Sequence, residues 1–126
     1  MKIILFFLLT VFCFSPAFPE EIIINKKLNG LEREYEFPKA LKMMEAHIEE
    51  FPDDYVIQFR IANYFFYGRK GVEANRQKAR RLYLTLLQSL IRMQDKSPEL
   101  LYIIGIAVSN SSGNTVSAFN WLLESA

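Results

Sequence analysis

Between Tyr55 and Leu90 the apolar residues recur every three or four positions in two successive runs. The first run is Tyr55, Phe59, Ile61, Ala62, Phe65 and Phe66; the second is Ala79, Leu82, Tyr83, Leu86, Leu87 and Leu90. That period is the signature of amphipathic helices. The intervening Tyr67-Gly68-Arg69-Lys70-Gly71-Val72 is too glycine-rich to continue a helix, so the pattern predicts a helical hairpin. One hairpin cannot bury both of its apolar faces and needs helical neighbours. Upstream, Pro38 suits a first helical turn and Ala40, Leu41, Met44, Ile48 and Phe51 form one stripe, which Pro52-Asp53-Asp54 ends. Downstream, Ser97-Pro98-Glu99 is a helix start, with a cap, a first-turn proline and an acid at the positive helix end. A helix over 100–109 follows, then a loop by composition at Asn110-Ser111-Ser112-Gly113-Asn114, then a last helix over 115–126. Residues 20–36 carry little periodicity: Ile22-Ile23-Ile24 fits a short strand or a helix start, and Asn29-Gly30 suggests a turn. The expected class is all-α, a short superhelix of about five helices.

The first residues read differently. Lys2 followed by the apolar run Ile3–Phe14 and by Ser15-Pro16-Ala17 has the layout of a signal peptide cut after Ala17. The run is short for a membrane span, which needs about 20 apolar residues. The expected organisation is a signal segment over 1–17, an N-terminal extension over 18–37 and a helical domain over 38–126. Export to the cell exterior, the periplasm or the endoplasmic-reticulum lumen follows, with membrane attachment only if the segment is retained or Cys13 carries a lipid. Composition adds one constraint. The 126 residues are 51% apolar, carry a net charge of +1, and include one cysteine and one histidine. That is one small domain with no global charge bias towards nucleic acid, and with few residues suited to metal or nucleophilic chemistry.

Internal repetition changes the picture. Ala79 and Ala118 stand thirty-nine positions apart, which aligns Leu82-Tyr83 with Trp121-Leu122; Ala62 and Gly105 are forty-three apart. A small residue on each helix allows close approach, and large residues one turn away fill the groove. The segment Gly71-Val72-x-x-Asn75-x-x-Lys78-Ala79-x-x-Leu82-Tyr83 resembles the loop and second helix of a Sel-like repeat, a branch of the tetratricopeptide-like superfamily. Asn75 stands for the usual aspartate, Leu82 for the tryptophan, and Ala62-Asn63 for leucine-glycine. The resemblance implies repeat-packing roles for Ala62, Gly71, Val72, Ala79, Tyr83, Gly105, Ala118 and Trp121. It also implies a scaffold or adaptor that binds a protein or peptide, without catalysis or cofactor. Register against that family places a partner groove on Phe59, Asn63 and Phe66 with Tyr102 and Ile106, and the same helical stripe is equally the pattern of a core.

Candidate chemistry is sparse. His47 has neither a nucleophile motif nor further histidine or cysteine partners, so it is read as a packing residue rather than a catalytic or zinc-binding one. Glu45, Glu49, Glu50, Asp53 and Asp54 are read as a solvated helix face. Asn110-x-Ser112 has the form of a glycosylation acceptor, which the loop reading explains without modification. Charge is nonetheless segregated: Arg69, Lys70, Arg76, Lys78, Arg80 and Arg81 face only Glu73 locally. An acidic partner, an anionic membrane, a neighbouring copy and plain solvated surface all fit that basic patch. The apolar last helix (Phe119, Trp121, Leu122, Leu123) without a following cap suggests self-association or a partner. The reading is an exported helical-repeat adaptor that binds no nucleic acid. Its alternatives are a small secreted enzyme or inhibitor using the acidic helix or basic patch, and a membrane-anchored structural subunit.

Overall fold

The computed structural model describes residues 19–112, which form five helices and no strand. They are α1 (Pro19–Arg33), α2 (Phe37–Glu50), α3 (Tyr55–Tyr67), α4 (Arg76–Leu90) and α5 (Pro98–Ser112). The expected last helix, with Ala118 and Trp121, and the expected signal segment lie outside the described residues. Among the described residues no helix is long and apolar enough to cross a membrane.

Several helix boundaries have a local cause. Asp54 caps α3, its Oδ1 accepting from Ile57 N–H at 3.2 Å, and Asn75 caps α4, its Oδ1 accepting from Lys78 N–H at 3.0 Å. Ser97 Oγ accepts from Leu100 N–H at 3.2 Å and starts α5. These short oxygen side chains satisfy amides that the helix leaves unpaired. At its far end α3 stops at Gly68, whose φ of 73° and ψ of 162° suit glycine alone.

Helix α1 occupies most of the N-terminal extension, where the sequence left a short strand or a helix start open. Ile24 and Leu28 are buried in it and Leu31 is half-buried, so tertiary packing holds a segment whose periodicity is faint. Asn29-Gly30, expected as a turn, sits inside this helix; a glycine there costs about 1 kcal/mol, which burial of Leu28 offsets. The helix closes in a Schellman motif: Glu36 N–H donates to Leu31 O at 2.9 Å and Tyr35 N–H to Glu32 O at 3.1 Å. Tyr35 takes the left-handed position at φ 58°, usually glycine's, while its ring packs edge-on to Phe37. The expected loop at Asn110–Ser112 is likewise helical and belongs to α5.

Helix α3 is the centre of the array. Its Phe59 and Ala62 join Ala79, Tyr83, Leu86, Leu87 and Leu90 of α4 and Leu100, Ile103, Ile104 and Ala107 of α5 in one core. Its Ile57, Ile61 and Tyr64 join Ile24, Leu28, Ala40, Met44 and Val72 in another. Phe65 and Leu82 pack against both. Successive helices run antiparallel: Phe37 meets Tyr64 and His47 meets Asp54, while Phe66 lies by Arg76 and Asn63 by Tyr83. Consequently the α1–α2 and α3–α4 connections share one end of the array. The start of α1, the α2–α3 connection and the start of α5 share the other.

Five of the residues read from the repeat pattern are buried among the described residues. Ala62 and Ala79 are fully buried, as is Tyr83, and Gly105 and Val72 are buried. Gly71 has φ 81°, and a Cβ there would come within 2.8 Å of Pro38 Cγ. This glycine serves a left-handed turn and a close approach at once.

Candidate functional site

Arg60, Asn63, Tyr64 and Tyr67 are spaced three and four apart and therefore share one face of α3. Each reaches a different neighbour. Arg60 forms an ion pair with Glu32 of α1, and both side chains are partly exposed. Tyr64 packs on Phe37 of α2, ring centroids 6.0 Å apart. Asn63 accepts through Oδ1 from the Tyr83 hydroxyl of α4. The same hydroxyl accepts from Asn110 Nδ2 of α5 at 3.2 Å, and that Nδ2 also donates to the Tyr67 hydroxyl at 3.3 Å. One buried phenol thus orients an amide on each of two helices.

The bonding pattern leaves specific groups unused. An asparagine carries two N–H donors on Nδ2 and an acceptor on Oδ1. Asn63 commits Oδ1 and keeps Nδ2; Asn110 commits Nδ2 and keeps Oδ1. Among the described residues neither remaining group has a partner. A free amide donor and a free amide acceptor therefore flank one hydroxyl. Phe66 borders them, edge-on to both Tyr67 and Tyr83 at 4.9 and 6.0 Å.

The five residues placed in a groove by register separate. Phe59 is spent on the core, 6.3 Å from the Tyr83 ring centroid. Asn63 and Phe66 belong to the amide cluster, while Ile106 is half-buried against the α3–α5 core and Tyr102 is exposed one turn before it. Tyr67 and Arg60 were not singled out as site residues from the sequence, and Asn110 only as the first residue of a glycosylation-acceptor pattern. Asn110 stood in a stretch of loop-like composition, and no local signal shows that it faces Tyr83, twenty-seven positions away.

The basic residues are presented over aromatic rings. The Arg69 guanidinium lies 5.4 Å from the Tyr64 centroid and 5.9 Å from that of Tyr67. Arg76 lies 4.7 Å from Phe66, and Lys78 Nζ 4.2 Å from Phe65. Such contacts hold a cation in place without neutralising it. Lys70, Arg80 and Arg81 are exposed, and none of the six pairs with a carboxylate among the described residues.

At the opposite end His47 Nε2–H donates to Asp54 Oδ2 at 2.8 Å while stacking on Phe51. Because Asp54 also caps α3, this nearly buried pair clamps the end of α2 to the start of α3. A cavity of about 310 Å³ adjoins it, lined by Asn25, Asp53, Asp54, Glu99 and the first turn of α3. Among the described residues no three histidine, cysteine or carboxylate side chains converge as metal ligands. A second cavity, of about 360 Å³, is apolar and lies between α2 and α4, with Ile48, Ile61, Leu82 and Leu86 in its walls.

Two phenols are shifted. Burial, with a smaller contribution from Tyr67, pushes Tyr83 up to about 12, against the opposing hydrogen bond from Asn110. Burial and then the adjacent Glu32 carboxylate push Tyr64 up to about 12, and its hydroxyl finds no well-aligned partner. Both stay neutral hydrogen-bonding groups through the physiological range, which suits orientation rather than proton transfer. Comparison of the chain with protein families, curated proteins and solved structures finds no match.

Proposed function

We propose that this chain is an exported helical-repeat adaptor of the tetratricopeptide/Sel-like type, which binds an extended segment of a partner protein along the α3–α5 face and performs no chemistry. The observation that carries the reading is the amide pair. Asn63 offers a donor and Asn110 an acceptor, both held in place by Tyr83. A peptide unit presents the reverse set, a carbonyl and an N–H, so the pair can bind one peptide group irrespective of its side chain. Phe66 and Tyr67 beside it provide apolar surface for that side chain.

The repeat part of the proposal rests on matched positions. Ala40 and Ala79 are both the fourth residue of their helices and Met44 and Tyr83 both the eighth, all fully buried. Residues at equal positions of α2 and α4 therefore serve equal packing roles, as they do when hairpins are stacked. Export rests on residues 1–17 alone.

A random-peptide display selection against the purified chain tests the binding role. Enriched peptides should lose about tenfold in affinity, about 1.4 kcal/mol, on Asn110→Ala and on Tyr67→Ala. A selection without enrichment, or peptides indifferent to both substitutions, would reject the reading. N-terminal sequencing of the protein from its host should begin at Phe18; a chain beginning at Met1 would reject export by cleavage.

A further inference from the structure

The antiparallel array sorts charge by end. The end formed by the α1–α2 and α3–α4 connections presents Arg69 and Lys70 at a loop tip, with Arg76 and Arg33 beside it. Of its acids Glu36 pairs with Lys39 and Glu32 with Arg60, while exposed Glu34 and Glu73 offset part of the positive charge. The other end carries Glu49, Glu50, Asp53 and Glu99, all exposed, and of these Asp53 and Glu99 line the cavity together with Asn25 and Asp54. Arg92 and Lys96 lie in the α4–α5 connection at that end and offset part of this charge.

The basic tip is rigid. Arg69 N–H donates to Val72 O at 2.9 Å and Val72 N–H to Arg69 O at 2.8 Å, which closes a tight turn around Lys70 and Gly71. Val72 is buried and Asn75 N–H donates to Phe65 O at 2.7 Å, so both sides of the turn are anchored. A tip fixed in this way loses little freedom on docking. The acidic cavity, at about 310 Å³, is about ten times the ~30 Å³ share of one water and admits a side-chain end.

We propose that the Arg69-Lys70 tip of one molecule docks into the Asn25-Asp53-Glu99 cavity of a second copy, giving head-to-tail association driven by charge. Plug and socket are on the same chain at opposite ends, so each copy supplies what the next receives. Such a contact uses two different surfaces and leaves one of each free, which extends into an open chain of copies rather than closing a dimer. Complementary charge sets orientation and approach, and makes the contact salt-sensitive. The tip adjoins the peptide-binding face, since the Arg69 guanidinium lies 5.9 Å from the Tyr67 ring centroid, but the docking contact uses neither Asn63 nor Asn110.

Sedimentation velocity on the purified full chain decides it. The average mass should exceed the 14.7 kDa of one chain at about 0.01 M salt and return to it at about 1 M, as the screening length falls from about 30 to about 3 Å. The doubles Arg69→Glu/Lys70→Glu and Asp53→Lys/Glu99→Lys should each be monomeric at low salt, and an equimolar mixture should associate again. Far-UV circular dichroism checks each fold; Arg69→Gln/Lys70→Gln replaces a double that misfolds and should also abolish association. A wild-type monomer at low salt would overturn the proposal. So would association that survives high salt and both doubles, or a mixture that stays monomeric.

Discussion

Replacing Tyr83 by phenylalanine removes one oxygen atom from the meeting point of α3, α4 and α5. The ring keeps its place in the core, so the substitution isolates the hydroxyl. Two hydrogen bonds vanish, the one to Asn63 Oδ1 and the one from Asn110 Nδ2. Both amides are half-buried, so water recovers part of what they lose, and the expected cost is about 2 kcal/mol, within the range of about 1–3 for a stranded buried polar group. With a urea m-value of about 2 kcal/mol/M this moves the unfolding midpoint down by about 1 M at unchanged slope. The pH dependence gives a second, sharper readout. Tyr83 ionises near 10 when unfolded and at about 12 when folded, so its contribution is complete below pH 10 and lost between pH 10 and 12. At about 1.4 kcal/mol per pKa unit the full loss is about 3 kcal/mol. The phenylalanine variant has no such loss, so the stability gap between the two proteins should narrow as pH rises through that window and, with a loss of about 3 kcal/mol against a gap of about 2, close or reverse at its upper end. Tyr64, also shifted to about 12, titrates equally in both and cancels. A variant within about 0.5 kcal/mol of wild type at pH 7, the ordinary spread for inconsequential substitutions, would refute the role given to this hydroxyl. So would a gap that stays constant from pH 9 to 12.

Further substitutions probe the connections and the close contacts. Gly68→Ala should cost about 3 kcal/mol in urea unfolding and Gly71→Ala about 1–2, since Gly68 occupies a region open only to glycine and Gly71 a left-handed one with the Pro38 ring in the way. The reverse order would contradict the assigned backbone. Asp54→Ala should lose more stability than Asn75→Ala, about 2–3 against about 1 kcal/mol, because Asp54 caps α3 and holds His47 whereas Asn75 only caps α4. Equal losses in denaturant melts would show the histidine contact to be idle. Ala79→Leu should destabilise by about 1–3 kcal/mol through overpacking at a fully buried site, whereas exposed Leu84→Ala should stay within about 0.5. A tolerated leucine at position 79 would mean that α3 and α4 are not closely packed there.

Helical class, four of the helix positions and the small packing residues follow from the order of residues alone. The stripe of Ala79, Tyr83, Leu86, Leu87 and Leu90 announces a buried face, and Asp54, Asn75 and Ser97 announce helix starts, because periodicity and capping act within a few positions of chain. Helix α1 was not legible, since Ile24 and Leu28 make a thin stripe interrupted by Asn29-Gly30 and only the burial supplied by α2 and α3 holds it. The end of α5 was hidden for a related reason: Asn110 and Ser111 compose like a loop, but Ser111 is buried and Asn110 is bonded to Tyr83 and Tyr67. The candidate site divides along the same line. Asn63 and Phe66 could be named from register, whereas Phe59, from that register, went to the core and Asn110 came from another helix. Basic residues were visibly crowded in sequence, but nothing in their order places them opposite Asp53 and Glu99. That opposition arises because antiparallel packing gathers alternate helix ends, so residues far apart in the chain come to share one surface. Local order decides which segments are helices and which faces are apolar. Tertiary packing decides which polar groups are paired, which remain free, and where charge collects.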